Sequence, residues 1–188
     1  MGILEGMNAR LLALLAVGSI WVSAAEWSKP VEVVVDDAVC ATYKARVDDG
    51  GRLVIALTLG NGWHTFAMDN QIRANEKLAG KKALGMDKPT SFAVSGGLAV
   101  EGGWLQPELR NFSKPELRIF SWGFEKEALF AAKVKRTGSE KVARIGIKAQ
   151  ACTETICKDI NKELELDLGL AVGPAEPGMA TLSAVRTQ

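Results

Sequence analysis

Two stretches of alternating polarity stand on either side of a close cysteine pair, and together they constrain this chain more than any other feature. Ile145, Ile147, Ala149 and Ala151 fall on one side of an extended segment, and Arg144, Lys148, Gln150 and Cys152 on the other, because side chains alternate across a strand. Cys157 follows after four residues, and Glu163-Leu164-Glu165-Leu166-Asp167-Leu168 then alternates as a half-solvated strand does. The pattern predicts an antiparallel pair joined near the cysteines, with Cys152 on the polar face.

The same signals recur along the chain. Val31 to Val35 is a β-branched run, and Cys40 to Val47 leads through Asp48-Asp49-Gly50-Gly51 into Leu53, Ile55, Leu57 and Leu59, which reads as a hairpin with one strongly buried face. Trp63 to Met68, Thr90 to Ser95, Ile119 to Phe124 and Ala128 to Val134 add further strand candidates. The segment 69–85 fits either a helix of two or three turns or a solvated loop, since its apolar residues are sparse. About eight or nine short strands with glycine-rich turns predict an all-β fold, an antiparallel β-sandwich.

Composition sets the boundaries of function. Among 188 residues the formal net charge is +1, and acids and bases are interspersed, so there is no basic stripe for nucleic acid. Arg10 followed by the apolar run Leu11 to Val22 and small residues through Ala25 predicts a signal peptide over 1–25. That run is shorter than the roughly 20 residues a membrane span needs, so no stable membrane insertion is expected after cleavage. The reading is a periplasmic or secreted protein with a sandwich domain over 27–172 and a disordered tail over 173–188, where Gly173-Pro174 and Pro177-Gly178 break the chain.

Export makes a disulfide chemically reasonable, and three uses of the pair are open. As a staple it is poorly placed: closing a loop of about six residues stabilises by only about 2 kcal/mol, against nearly 5 for a loop of over a hundred. As a redox couple it has a resolving thiol beside an exchanging one, with Lys158 favouring a thiolate at Cys157 and Glu154 opposing it. As a Cu(I) site it would recruit His64 and Met68. Cys40, in a β-rich stretch, reads as a buried inert thiol.

Gln150-Ala151-Cys152-Thr153-Glu154-Thr155-Ile156-Cys157, followed by alternating leucines, resembles the cysteine motif of the N-terminal periplasmic domain of the thiol:disulfide interchange protein DsbD. Gly62-Trp63-His64-Thr65-Phe66, Lys88-Pro89-Thr90-Ser91-Phe92, and Trp104-Leu105-Gln106-Pro107 leading to Trp122-Gly123-Phe124-Glu125 are similar to that family in the same order, so the likeness covers roughly Val31 to Leu170. The resemblance implies an immunoglobulin-like fold and electron transfer from a thioredoxin-like or membrane electron-transfer protein to periplasmic disulfide proteins, with no cofactor. It implies that Cys157 forms mixed disulfides and Cys152 resolves them, under an aromatic cap for which Phe120, Trp122 and Phe124 are candidates. It also implies that the membrane and thioredoxin-like parts come from other polypeptides. Lys158-Asp159-Ile160 departs from the family, which has an apolar residue and prolines there. The alternative function is a non-catalytic exported binding domain with a structural disulfide.

Overall fold

The computed structural model describes residues 26–83, 87–170 and 172–187; the expected signal peptide lies outside them. The strands are β1 (Val31–Val35), β2 (Ala38–Val47), β3 (Arg52–Leu59), β4 (His64–Phe66), β5 (Ser91–Gly96), β6 (Leu98–Gln106), β7 (Arg110–Asn111), β8 (Trp122–Glu125), β9 (Glu127–Arg136), β10 (Val142–Cys152), β11 (Cys157–Asp167) and β12 (Ser183–Ala184). Among the described residues there is one α-helix, α1 (Asn70–Leu78), between β4 and β5. Every strand pairing is antiparallel. One sheet runs β1-β2-β3-β9-β6-β12; the other runs β11-β10-β4-β8-β7, with β5 also paired to β10. The expected antiparallel sandwich is therefore present, with more strands than the eight or nine read from the sequence because several are only two or three residues long.

Alternation explains which faces meet. Leu53, Ile55, Leu57 and Leu59 of β3 are buried, as are Ile145, Ile147, Ala149 and Ala151 of β10. They share one core with Tyr43, Phe130, Leu164 and Leu166, so the two sheets bury their inner faces against each other. The β2–β3 hairpin forms where the sequence places it, with Val47 opposite Leu53. Asp48 fixes its turn by accepting hydrogen bonds from the Arg52 amide at 2.9 Å and from Arg52 Nε at 2.8 Å. Gly51 sits at φ +70°, a left-handed conformation that a β-carbon would strain.

The segment 69–85 resolves into helix over its first part. Ala74 and Leu78, four residues apart, are the apolar pair that α1 buries, together with Asn70. Asn70 reaches beyond the helix: its Oδ1 accepts from the Trp122 amide at 2.8 Å, and its Nδ2 donates to the Asp87 carbonyl at 3.3 Å. The helix thereby anchors both β8 and the segment entering β5.

The segment expected as a tail lies against the body of the domain. Residues 172–187 cross the outer face of the first sheet and are tied down along their length. Gly173 bridges Asp48, Arg46 donates to the Pro174 carbonyl at 2.7 Å and to Glu176 at 2.6 Å, and Met179 packs on Val54 and Ala131. Ser183 and Ala184 then add a short edge strand to β6. The Arg186 amide donates to Asp69 at 3.2 Å, and the Arg186 side chain pairs with Glu76 of α1. Burial alone would raise the pKa of Asp69; hydrogen bonds from Arg73, Gln106 and the Arg186 amide outweigh it and hold the carboxyl below its ordinary value. The physical reason for order is exposed apolar surface: Val54 and Ala131 face outward from β3 and β9, and the tail is what buries them.

Candidate functional site

β10 and β11 remain in register over their full length, so Cys152 stands directly opposite Cys157. Their Cα atoms are 4.0 Å apart and the two sulfurs are joined as a disulfide. The turn between them is closed by its own residues. The Thr153 amide donates to the Ile156 carbonyl at 2.8 Å, and Thr153 Oγ1 accepts from the amides of Thr155 and Ile156, each at 3.2 Å. Threonine is well suited here, since its hydroxyl substitutes for a backbone acceptor in a tight turn.

The two sulfurs differ in access. Cys157 is exposed, whereas Cys152 is only 2% exposed. Alternation does put Cys152 on the polar side of β10, as expected, but that end of the strand is roofed over, so polar-face placement does not make it solvent-accessible. The roof belongs to the hairpin between β7 and β8 and to β4. His64 of β4 pairs directly with Cys152, and Phe112 stacks on the His64 ring with centroids 4.6 Å apart. Together with Phe66, Lys114, Ile119 and Glu125 they line an open groove of about 1070 Å³ that contains both cysteines.

The cap candidates divide by strand alternation. Phe124 points inward, 3% exposed, with its ring edge-on to Phe130 at 5.3 Å. Trp122, two residues earlier, packs against the same core, and Phe120 is half-buried and does not line the groove. The aromatic side chain that this hairpin contributes to the groove is Phe112. The sequence reading missed it because it sits in an irregular stretch with no alternating neighbours.

Gly123, between the two inward aromatics, permits the close approach of β8 to β4. A β-carbon there would lie 1.8 Å from the Thr65 carbonyl oxygen. Thr65 also holds β4 to β10, donating through Oγ1 to the Gln150 carbonyl at 2.8 Å. Beyond the cysteines, Lys158, Asp159 and Ile160 simply continue β11. Ile160 enters the core, and Asp159 pairs with Lys88 and accepts from Gln150 at 3.0 Å. Those hydrogen bonds from Lys88 and Gln150 hold the Asp159 carboxyl below its ordinary value. Prolines would remove ladder donors at these positions; without them the ladder reaches Cys157 unbroken.

Lys158 alternates away from the face that carries Cys157; burial pushes the Cys40 thiol up, against a smaller lowering effect of the Lys158 charge. Cys40 is free and fully buried, as expected of an inert thiol. Met68 packs against the core and does not share the groove with His64. Among the described residues no group of three or more His, Cys, Asp or Glu is placed to hold a metal ion, and no helix is long and apolar enough to cross a membrane.

His64, read from the sequence as a possible Cu(I) ligand and as part of a family-like stretch, is a further functional candidate. Burial lowers the pKa of its imidazole below the ordinary value, the nearby carboxylates of Asp87 and Glu125 work in the opposite direction, and Lys114 adds to the lowering. The result is a neutral imidazole at neutral pH, directly across the ladder from a sulfur.

No protein-family profile and no curated protein sequence matches the chain. Among solved structures, it is similar to the crystal structure of the N-terminal periplasmic domain of ScsB from Proteus mirabilis, with a TM-score of 0.53 at 15% identity over 84% of this chain and 56% of that one. A second match is the N-terminal domain of Neisseria meningitidis DsbD in its reduced form, with a TM-score of 0.42 at 12% identity over 78% of this chain and 91% of that one. The chain thus spans a little over half the length of the ScsB chain it matches. At 15% identity the likeness speaks to architecture, and this chain has the immunoglobulin-like β-sandwich fold of the ScsB N-terminal periplasmic domain.

Proposed function

We propose that this domain carries out thiol–disulfide exchange with protein partners, using Cys157 as the exchanging sulfur and Cys152 as the resolving one. The observation that carries the reading is the difference in access: one sulfur of the disulfide is exposed at the open groove and the other is 2% exposed beneath it. A partner sulfur can approach Cys157 directly, while Cys152 attacks only from within the domain. A purely structural bridge has no need of this asymmetry, nor of a groove around it.

The chemistry is carried by sulfur alone. In the reducing direction the Cys157 thiolate attacks a partner disulfide, one partner thiolate leaves, and a mixed disulfide remains. Cys152 then attacks Cys157 Sγ, the mixed bond breaks, the second partner thiolate leaves, and the Cys152–Cys157 disulfide re-forms. The partner gains two electrons and the domain loses two. A thioredoxin-like or membrane electron-transfer protein would return them, and disulfide-bearing proteins of the periplasm or secreted space would be the recipients. Phe112 takes the role of aromatic cap in this scheme. The export reading of 1–25 and the disulfide chemistry support the location; the sandwich domain itself is read as 27–172, with the tail docked onto it.

Thiol trapping across a redox titration tests the proposal. Cys152→Ala should accumulate mixed disulfides through Cys157, and the wild-type couple should titrate above about −300 mV, the region below which structural disulfides fall. A couple that resists reduction there, with no trapped partner, leaves a structural disulfide in a binding domain.

A further inference from the structure

Register places four chemically active side chains in one line across four adjacent strands. Glu125 of β8 is opposite His64 of β4, His64 is opposite Cys152 of β10, and Cys152 is opposite Cys157 of β11. Directly opposed residues share a face, with β-carbons about 4.5–5.5 Å apart, and all four line the same groove. We infer that this row is a proton relay, in which His64 accepts the Cys152 proton during resolution and Glu125 orients the imidazole.

The inference rests on the exchange reading and answers a problem within it. Cys152 must become a thiolate to attack, yet its burial disfavours a bare charge there. A base beside it removes the difficulty. His64 is held for that task from both sides: Phe112 stacks on the ring at 4.6 Å with 23° between planes, and Phe66 meets it edge-on at 5.4 Å. Glu125 is itself fixed by an ion pair with Arg110. Every other charge facing the imidazole belongs to a neighbouring segment. Asp87 lies before β5 and Lys114 in the cap hairpin, with opposite effects. The low basicity that burial gives the ring keeps it unprotonated and ready to accept.

The step balances without an added reagent. The Cys152 S–H proton passes to the free imidazole nitrogen as Cys152 Sγ bonds to Cys157 Sγ. The electron pair of the mixed disulfide leaves with the partner sulfur. The imidazolium then returns the proton to that thiolate or to water.

A chromogenic aromatic disulfide, 5,5′-dithiobis(2-nitrobenzoate), separates the two stages on the reduced protein. Capture by Cys157 releases the first aromatic thiolate; resolution by Cys152 releases the second. The first release reports the exchange reading, and its absence in the wild type sinks that reading whatever His64 does. The second release, normalised to the first, reports the relay. Its rate in the wild type should rise through an inflection below about 6.5, the ordinary imidazole value. In His64→Gln that inflection should vanish, leaving a rise only in the thiol range near about 8.5. At pH 7 the second release should fall about a hundredfold, at the low side of what a general base contributes. Superimposable profiles would overturn the relay. Should His64→Gln fail to give a native circular dichroism spectrum, Glu125→Gln decides: it keeps the ring and removes a carboxylate that raises its pKa, so the inflection should move to lower pH. An unmoved inflection there overturns the relay equally.

Discussion

Both sheets of this sandwich have an outer face covered by another piece of chain, and the two covers do different things. On the first sheet the tail seals apolar surface: Met179 lies over Val54 and Ala131, with Trp27, Leu105, Leu129 and Leu182 around them. On the second sheet the β7–β8 hairpin covers polar and reactive groups at one end, and it does so incompletely, leaving a groove. The tail is tied by a buried guanidinium, an edge-strand pairing and a carboxylate. The cap is tied mainly at its β8 end, by the pairing with β4, the Asn70 hydrogen bond to Trp122 and the Ser121 hydroxyl bond to Asp87; beyond that end its contact with the body is the Phe112 ring on His64. A cover fixed at many points suits burial. A cover fixed on one side suits a site that a partner must enter, because local opening costs less where fewer contacts break.

The largest expected effect comes from breaking the join between cap and body. Gly123→Ala puts a β-carbon 1.8 Å from the Thr65 carbonyl and 2.9 Å from the Phe66 Cα. Backbone cannot rotate aside as a side chain does, so β4 and β8 must separate. The cost should be about 3 kcal/mol, at the top of the usual range for overpacking, measured by urea unfolding. Amide exchange should accelerate in β4 and β8 while β2 and β3 stay protected. Uniform loss of protection would mean that the cap is as firmly built into the fold as the tail is.

How far the sequence revealed these covers depends on the range of the contacts. The inner faces were readable because alternation is local: Ile145, Ile147, Ala149 and Ala151 are buried as their spacing predicts. The inward direction of Trp122 and Phe124 was readable by the same rule, since both alternate against Gly123 and Glu125. The burial of Cys152 was not readable, because its roof comes from His64 and Phe112, distant in sequence. The order of the tail was hidden for the same reason. Its prolines and glycines break regular structure, but Arg46, Asp48 and Asp69 supply partners far along the chain. The row from Glu125 to Cys157 depends on three registers at once, and no single stretch encodes it.

Met179→Ala tests the sealed side. Met179 is 9% exposed in a small cluster, so the variant should lose about 2 kcal/mol, the lower end for a buried methionine truncated to alanine. Thermal or urea unfolding reads that loss. The rate at which a small thiol reduces the Cys152–Cys157 disulfide should not change, because no tail residue lines the groove. A change in that rate would couple the two covers and remove the contrast between them.

Phe112→Ala should do the reverse. Phe112 is half-buried and its main partner is the His64 ring, 4.6 Å away. Losing one stacked aromatic pair at a partly solvated site costs about 1 kcal/mol, the smallest stability change of the three. Yet the groove above Cys152 widens, and the imidazole loses the surface that fixes its plane. Reduction of the disulfide by a small thiol should become several-fold faster. Resolution in the reduced protein should become slower, because the base is less well held. Opposite changes in these two rates, with stability nearly intact, would identify Phe112 as a shield that also positions His64. Parallel slowing of both would indicate collapse of the hairpin into the groove, and a cap whose rigidity comes from that one ring.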